Sequence, residues 1–214
     1  MHLNDPATGR FITVEGIEGV GKTTNIQFIQ DYLTNNNIPF IQTREPGGTE
    51  LGEKLREMLL HGGDVCDDAE LLMMFASRAQ HLNEKIKPAL KTGTWVICDR
   101  FTDSTYAYQG GGRELKLENI TQLEKIVHAG LQPDLTLLLD APVEIGRARA
   151  AKRGAFDRIE AEDLAFFNRV RDMFLSRAKA YNRYAVIDAA QPLETVQDAI
   201  QLELQKLMTS ADDL

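Results

Sequence analysis

The chain has 214 residues, of which 43% are hydrophobic and 26% are charged, and its formal net charge is -8. This size and composition are ordinary for a globular domain with a sizeable core, and the acidic balance disfavours non-specific nucleic-acid binding. The sequence has two widely separated cysteines and a polar start. It also lacks any apolar run near the ~18 residues that cross a bilayer. These features predict a cytoplasmic protein without a membrane partner.

Five short apolar segments alternate with helical patterns along the chain. The segments predict strands over residues 11–14, 38–42, 95–98, 135–139 and 185–187. Helical spacing is found at Ile26, Ile29 and Leu33; at Leu51, Leu55 and Met58; at Leu71, Phe75, Leu82 and Ile86; at Ile120, Leu123 and Val127; from Val143; and at Val196, Ile200 and Leu204. We expect Pro88 near the end of the third helix. The alternation predicts an α/β fold of three layers, a five-stranded parallel sheet flanked by helices, in a single domain 1–214.

A glycine-rich loop connects the first strand to the first helix. Residues 16–23 read Gly-Ile-Glu-Gly-Val-Gly-Lys-Thr, a pattern whose backbone N–H groups cradle phosphates at a helix N-terminus. Lys22 can reach the outer phosphates of ATP, and the Thr23 hydroxyl can bind Mg²⁺. The candidate nucleotide-binding residues are Gly16, Ile17, Glu18, Gly19, Val20, Gly21, Lys22, Thr23 and Thr24. A carboxylate at Glu18 should repel phosphates unless it faces solvent, a neutral hydroxyl or a hydrated metal.

Charged residues also follow two later strands. Asp99 and Arg100 come directly after the strand 95–98, where polar side chains face the ligand crevice of a parallel sheet. Asp99 can hold the magnesium shell and Arg100 can clamp a phosphate, with a surface ion pair as the alternative. Asp140 follows the strand 135–139 as a competing metal residue, ranked below Asp99 because no arginine accompanies it.

A basic segment follows the fourth strand and predicts a lid over residues 143–160. Its basic residues are Arg147, Arg149, Lys152, Arg153 and Arg158. In an acidic chain such a cluster predicts arginines that close over the transferring phosphate, with Gly146 and Gly154 as pivots. A solvated helix face is the alternative. The glycine run 110–112 predicts a flexible loop beside the site.

Several classes of phosphate-loop protein remain to be separated. The chain lacks the Asn-Lys-x-Asp motif of guanine-specific GTPases and is short for a motor or transporter ATPase. Its scattered arginines favour a kinase with a small anionic acceptor. A nucleoside kinase that uses Glu18 as a base stays open, as does a regulatory ATP-binding module, although the arginines at positions 56, 78 and 100 would then have no acceptor to serve.

Four motifs together resemble the bacterial thymidylate kinase family of P-loop nucleoside monophosphate kinases. They are EGIEGVGKTT at 15–24, TREPGGT at 43–49, DRFTDSTYAYQGGGR at 99–113 and DRIE at 157–160. The resemblance implies transfer of the ATP γ-phosphate to dTMP, giving dTDP and ADP, with Mg²⁺. It also implies a cytoplasmic homodimer that serves DNA precursor synthesis.

The resemblance further implies roles for single residues in binding dTMP. It makes Glu18 a partner of the sugar 3′-hydroxyl, Arg56 and Arg100 ligands of the dTMP phosphate, and Arg78 a reader of a thymine carbonyl. Thr105 and Gln109 fall at contacts to the base, and Tyr108 falls where an aromatic ring disfavours ribonucleotides.

Two further positions concern base stacking and catalysis. Many family members have a thymine-stacking phenylalanine four residues before the arginine equivalent to Arg78. Here that position is Met74, so Phe75 is favoured as the stacking residue, with a core role as the alternative. Arg149 and Arg153 match lid arginines, and because no arginine lies within the phosphate loop, the lid must supply the catalytic one. The implied catalytic residues are Lys22, Glu18, Arg100, Arg149 and Arg153.

Overall fold

Five parallel strands form one sheet in the order β2-β3-β1-β4-β5. The structure is a computed structural model that describes residues 9–151 and 157–209. The strands are β1 Phe11–Glu15, β2 Phe40–Arg44, β3 Trp95–Asp99, β4 Leu135–Asp140 and β5 Tyr184–Asp188. All five lie where the apolar segments predicted them, and the predicted α/β fold with a five-stranded parallel sheet is confirmed.

Helices connect the strands and flank the sheet. They are α1 Lys22–Asn35, α2 Glu50–His61, α3 Asp67–His81, α4 Lys87–Lys91, α5 Thr102–Thr105, α6 Leu117–His128, α7 Val143–Ala150, α8 Leu164–Ala180 and α9 Leu193–Thr209. Two π-helical segments, π1 Leu82–Ile86 and π2 Tyr106–Gly112, follow α3 and α5. Pro88 lies in α4, near the end of a continuous helical run that α3, π1 and α4 form, and the wider turn of π1 directly precedes this residue without an N–H. Across the described residues, no helix combines the length and apolar character needed to span a bilayer.

The register of the central strands brings the predicted site residues together. Val14 pairs with Asp99 across the β1–β3 ladder, and Glu15 pairs with Leu138 across the β1–β4 ladder. Because all strands are parallel, their carboxyl ends meet at one edge of the sheet. The loops that follow β1, β3 and β4 therefore open into the same crevice.

The three glycines at 110–112 belong to a packed helical segment, so the expectation of a flexible loop is wrong. Gly110 and Gly112 are buried within π2. A Cβ on Gly112 would lie 2.4 Å from the ring of Phe166, and a Cβ on Gly111 would lie 2.8 Å from the carbonyl oxygen of Arg169. The missing side chains allow α8 to pack directly on π2.

The two cysteines occupy opposite environments and both are free thiols. Cys98 is buried in β3 within an apolar cluster that includes Phe11 and Phe101, and its Sγ–H donates to the carbonyl of Arg100 at 3.0 Å. Burial raises the pKa of the Cys98 thiol well above its ordinary value. Cys66 is exposed at the N-cap of α3.

Candidate active site

A cleft of about 350 Å³ lies at the carboxyl edge of the sheet. Among the described residues, its basic lining side chains are Lys22, Arg44, Arg56, Arg78, Arg100 and Arg149. In the same described part of the chain, five acidic residues also line the cleft: Glu18, Glu45, Asp99, Asp157 and Glu160. Six basic against five acidic residues give the lining a formal charge of +1 in a chain of net charge -8, so the cleft is positive relative to the rest of the chain, as expected of a phosphate-binding site.

The phosphate loop forms one wall of the cleft. Gly16, Gly19 and Gly21 have positive φ angles of 134°, 74° and 90°, which glycine adopts at no steric cost. Lys22 begins α1, and its Nζ donates to the carbonyls of Gly16 at 3.1 Å and Ile17 at 2.9 Å. An ammonium has three donors, so one is left for a phosphate oxygen. Burial, and next the nearby Arg100, lower the pKa of Lys22 to about 8.

The remaining loop residues divide by environment. The side chains of Ile17 and Val20 are buried in the core and anchor the loop, so only their backbone is available to phosphates. Thr23 and Thr24 are exposed and line the cleft. The predicted cradle therefore has backbone N–H groups and two hydroxyls on its open side.

Glu18 faces a hydroxyl and a guanidinium within the cleft. Its Oε1 accepts from Arg100 Nη2 at 2.6 Å and from the Tyr108 hydroxyl at 2.8 Å, and its Oε2 lies 2.9 Å from the same hydroxyl. Burial raises the pKa of Tyr108 well above its ordinary value, so this hydroxyl remains a donor. The carboxylate in the cradle is thus neutralised by Arg100, which removes most of its repulsion toward phosphates.

A strained turn after β3 aims Arg100 at this carboxylate. Arg100 has a φ of 68°, an uncommon conformation for a residue other than glycine, and its Nη1 also donates to the Gly16 carbonyl at 3.0 Å. The buried carboxyl group of Glu15 holds the turn, accepting from Phe101 N at 2.7 Å and from the Ser104 hydroxyl at 2.6 Å. Sequence reasoning gave Glu15 no role, although a carboxylate that ends an apolar strand directly before a phosphate loop was the available signal.

Polar side chains from α3, α5 and π2 form the opposite wall. Arg78, Thr105 and Gln109 are all buried and all line the cleft. Arg78 Nη2 donates to Thr105 Oγ1 at 3.0 Å, and Gln109 Nε2 donates to Glu70 Oε1 at 2.7 Å. This wall can hold a planar group with carbonyl and N–H atoms on its edge.

Phe75 does not line this wall, so the expectation that it stacks on the base is not supported. Its side chain is buried in a cluster with Leu71, Tyr106 and Ile120, while the neighbouring Met74 faces the cleft. Adjacent residues of a helix point about 100° apart, and the packing of α3 against α6 turns Phe75 inward. Met74 is the cleft residue that the sequence left undecided.

Comparisons with known proteins agree with this arrangement. A profile described as "Thymidylate kinase" matches residues 14–200. A thymidylate kinase of Pseudomonas fluorescens is 56% identical over 207 residues, covering 95% of this chain and 99% of that protein. This chain belongs to the thymidylate kinase family. A relative from Teredinibacter turnerae is 55% identical over 206 residues, covering 94% of this chain and all of that protein. The crystal structure of thymidylate kinase from Ehrlichia chaffeensis superposes with a TM-score of 0.76 at 36% identity, covering 92% of this chain and 99% of that chain.

In this member of the thymidylate kinase family, further arginines stand close together in the cleft. Arg56 Nη1 donates to the Pro46 carbonyl at 3.0 Å. Burial, and then the neighbouring Arg44, lower the pKa of Arg56. Cations packed this closely are stabilised by a bound polyanion, which fits a phosphate ligand.

The basic segment after β4 is only partly directed at the cleft. Arg149 lines the cleft, and its Nη1 donates to the Ala189 carbonyl at 3.0 Å. Arg147 donates instead to the Glu162 carbonyl at 2.6 Å, and Arg158 donates to the Leu59 carbonyl at 3.0 Å and to Glu70. The expectation that the whole cluster closes over a phosphate therefore fails for Arg147 and Arg158. Lys152, Arg153 and Gly154 lie outside the described residues.

Gly146 packs α7 on the phosphate loop and is not placed as a pivot. A Cβ on Gly146 would lie 2.6 Å from the Glu18 carbonyl oxygen, and a Cβ on Gly19 would lie 2.0 Å from the Gly146 carbonyl oxygen. Neither position has room for a side chain. The contact fixes the start of the segment that carries Arg149.

The two candidate metal carboxylates differ in their partners. Asp140 forms a two-bond ion pair with Arg171, at 2.7 and 2.8 Å, which occupies both of its oxygens. Asp99 lines the cleft, and its Oδ1 is buried with no hydrogen-bond partner in the described part of the chain. Because this oxygen has no partner, Asp99 is the better candidate for binding a metal ion. No arginine adjoins Asp140 in the sequence, but in the fold Arg171 pairs with it.

Proposed function

We propose that this chain transfers the γ-phosphoryl group of ATP to dTMP, giving dTDP and ADP. One observation carries the proposal: a single cleft has the phosphate loop with Lys22 on one wall and the buried polar residues Arg78, Thr105 and Gln109 on the other. The first wall suits the donor and the second suits the edge of the acceptor base. The chain acts as one kinase domain, built around one sheet.

The acceptor phosphate is itself the nucleophile. A phosphomonoester has its second pKa near ~6, so it is largely a dianion at neutral pH and needs no general base. The barrier comes from bringing two polyanions into line. Lys22 and Arg100 supply opposing charge, Arg56 holds the acceptor phosphate with Arg100, and their fixed positions supply proximity.

The acid within the phosphate loop acts on the acceptor sugar. Glu18 is held between Arg100 and Tyr108, and its carboxylate accepts a hydrogen bond from the 3′-hydroxyl of dTMP. The buried Tyr108 ring occupies the space that a ribose 2′-hydroxyl would need. The pair thereby selects a deoxyribonucleotide.

Mg²⁺ fits the donor side of the cleft, held by the Thr23 hydroxyl and the Asp99 carboxylate. Among the described residues no cluster of three or more His, Cys, Asp or Glu side chains forms a metal cage, so phosphate oxygens and water would complete the octahedral shell that Mg²⁺ prefers. When bound, the ion neutralises phosphate charge. Asp99, with its orphaned Oδ1, is the residue that holds it in place.

The arginines of the segment after β4 stabilise the transferring group. The phosphate loop contains no arginine, so Arg149 at the end of α7 and Arg153 beyond it supply the charge that a loop arginine would provide. Arg149 already lines the cleft. Fixed cations aimed at developing charge are worth more in a closed site than in water.

The active form is a homodimer in the cytoplasm, where its substrates are made and used. Five exposed large apolar side chains lie on α2, α3 and α6, and α3 packs on both of the other helices: Leu51, Met58, Leu72, Leu117 and Ile126. Ile126 is 76% exposed. Light scattering should give twice the chain mass, and Ile126→Glu should shift it toward the monomer. A wild-type mass equal to one chain would refute the dimer.

The activity is tested by following ADP release with ATP, Mg²⁺ and a panel of nucleoside monophosphates. We expect dTMP to be the preferred acceptor by kcat/KM. Thymidine is the matched control, because it carries the same base and sugar without the phosphate nucleophile. Turnover of thymidine above dTMP would favour a nucleoside kinase, and no ADP release with any acceptor would favour a regulatory ATP-binding module.

A further inference from the structure

Arg78 is buried in the wall of the cleft that α3, α5 and π2 form, and two of its three side-chain nitrogens have hydrogen-bond partners. Its side chain is 2% exposed, and its guanidinium carbon lies 4.8 Å from the centre of the Phe75 ring and 5.3 Å from that of Phe101. Nε donates to Glu45 Oε2 at 2.7 Å and Nη2 donates to Thr105 Oγ1 at 3.0 Å. Nη1 is buried and has no hydrogen-bond partner within residues 9–151 and 157–209. Since an unpaired buried donor on a cation is costly, Nη1 is the atom left for a ligand.

Glu45 connects Arg78 to His81 and Thr43. Glu45 Oε1 lies 2.9 Å from His81 Nδ1, and His81 Nε2 lies 2.6 Å from Thr43 Oγ1. A carboxylate only accepts, so His81 Nδ1 carries a hydrogen and donates to Glu45, while Nε2 forms the second bond with the Thr43 hydroxyl. Burial alone would raise the pKa of Glu45, but Arg78 and His81 hold it below its ordinary value, so the carboxylate stays charged.

These contacts tie the end of β2 to one face of α3. Thr43 is in β2 and Glu45 follows it, while Arg78 and His81 are three residues apart on α3 and therefore share a face. With Nε fixed by Glu45 and Nη2 fixed by Thr105, the planar guanidinium has a single orientation. Neither Glu45 nor His81 needs to touch the ligand for this effect.

We propose that Glu45 and His81 are positioning residues, which hold Nη1 of Arg78 toward a hydrogen-bond acceptor on the base of the acceptor nucleotide. The inference rests on the proposed function and extends it to two residues that act through Arg78. Loss of either residue should weaken dTMP binding while leaving the phosphate loop and ATP binding intact.

The test measures KM for dTMP and for ATP separately, with kcat, in Glu45→Gln and His81→Gln. Glu45→Gln keeps the side-chain shape but removes the charge and one acceptor. We expect KM for dTMP to rise about tenfold, the change expected from loosening one charge-assisted hydrogen bond, with kcat within about threefold and KM for ATP within about twofold. His81→Gln should act in the same direction and less strongly.

Asp134→Asn is the matched control for the loss of an ion-paired carboxylate. Asp134 accepts from Phe11 N at 2.7 Å and from Arg10 Nη1 at 3.2 Å, and it directly precedes β4, at the sheet edge opposite the cleft. This variant should lower thermal stability and leave both KM values within about twofold, which is the behaviour of a purely structural carboxylate.

A double-mutant cycle tests whether Glu45 acts through Arg78. In an Arg78→Gln background, Glu45→Gln should no longer change KM for dTMP. If the effects of Glu45→Gln and Arg78→Gln on KM for dTMP simply multiply in the double variant, the proposal is overturned. Equal changes in KM for dTMP and KM for ATP in Glu45→Gln would also overturn it. If Glu45→Gln does not fold, His81→Gln decides, and a KM for dTMP within twofold of wild type refutes the proposal. Wild-type turnover of dTMP is measured in the same assay, so its absence would reject the proposed function and not only this inference.

Discussion

The Tyr108 hydroxyl lies 2.8 Å and 2.9 Å from the two oxygens of the Glu18 carboxylate, shares its single hydrogen with them, and thereby joins π2 to the phosphate loop. Arg100 completes the group, with its guanidinium 4.8 Å from the centre of the Tyr108 ring and its Nη2 on Glu18. The wall of the cleft that includes π2 is in this way tied to the phosphate loop on the other wall. Glu18 and Tyr108 are therefore held together by direct hydrogen bonding.

Replacement of Tyr108 should change sugar selection. Tyr108→Ala removes the ring and should narrow the preference for dTMP over its ribose analogue, measured as the ratio of kcat/KM values. Tyr108→Phe is the matched control. It should keep the ratio of kcat/KM values for dTMP and its ribose analogue, because the ring remains. It should lower kcat/KM for dTMP several-fold, because Glu18 loses a hydroxyl partner. An unchanged ratio in Tyr108→Ala would refute the selection role.

The arginine at position 153 should act on turnover more than on binding. Arg153→Ala should lower kcat by about 10²-fold, the typical loss for a transition-state donor, while Kd for dTMP changes by less than about threefold. Arg147→Ala is the control from the same segment, since Arg147 donates to the Glu162 carbonyl and lies 5.2 Å from the Phe167 ring centre. It should lower the Tm and leave kcat within about threefold. Normal turnover with weakened dTMP binding in Arg153→Ala would contradict the catalytic role.

Binding of ATP should depend on pH through Lys22. In the free protein burial, and next Arg100, lower the pKa of Lys22 to about 8, and bound phosphates must raise it, because they favour the ammonium. Above pH ~8 the binding of ATP therefore takes up a proton, and the affinity for ATP should fall by up to about tenfold for each unit by which the pH rises. Calorimetric titration in buffers of different ionisation enthalpy measures this uptake.

A second group titrates in the same range and requires a control. Burial, followed by Asp103, raises the pKa of Glu15 to about 8. Lys22→Arg keeps Glu15 and removes the titrating ammonium, so the proton uptake assigned to Lys22 should disappear. An affinity independent of pH between 7.5 and 9.5 would contradict this prediction.

Stability at mildly acidic pH should depend on His128. Burial, and then Arg78, lower its pKa to about 4, and its neutral ring is held by the Thr102 hydroxyl at 2.6 Å and the Leu131 carbonyl at 3.2 Å. Between pH ~6.5 and ~4 the unfolded state binds more protons than the folded state, so the free energy of unfolding falls as the pH falls. Urea unfolding of His128→Gln should show a shallower slope in this range, by up to about 1.4 kcal/mol per pH unit. The exposed His61 is the control, and His61→Gln should keep the wild-type slope.

The packing of π2 on α8 can be tested at Gly112. Gly112→Ala should destabilise the protein by about 1–3 kcal/mol, because the new methyl group overlaps the Phe166 ring. Phe166→Leu in the same chain should restore part of the loss by vacating that space. A neutral effect of Gly112→Ala would support the flexible loop that the sequence suggested.

The central strands β1, β3 and β4 were predictable because each is an apolar run that is largely buried. The outer strands β2 and β5 are only partly buried, and their short apolar segments still placed them. The phosphate loop was predictable because its glycines have the spacing that a phosphate-binding backbone requires. Helix α8 was missed although Phe166, Val170 and Phe174 have the four-residue spacing of a helix face. The partners of its arginines Arg169, Arg171 and Arg177 are a separate matter. Two of these arginines are bound to Asp140 and Asp103 in the fold. Such pairs join residues 31 and 74 positions apart, and no local pattern reveals them.

The site residues likewise divide into those that a sequence motif identifies and those that depend on tertiary packing. Motif positions such as Lys22, Arg100 and Tyr108 line the cleft, but the choice between Met74 and Phe75 depends on how α3 is rotated against α6. That rotation is set by tertiary packing. The role of Glu15 was hidden because its partners Phe101 and Ser104 lie 86 and 89 residues away in the sequence. Glu45 was identifiable only as a motif residue that shapes its loop, because its partners Arg78 and His81 lie on α3.

The contrast between the two thiols makes the unaltered chain suited to single-site chemical labelling. A thiolate is the reactive species, so the buried Cys98, with its raised pKa, should be inert toward a maleimide, while the exposed Cys66 should react. Cys66 precedes the helix whose far end carries Arg78 and His81. A fluorophore attached to Cys66, without any mutagenesis, would give an optical signal at one end of α3, the helix that carries Arg78.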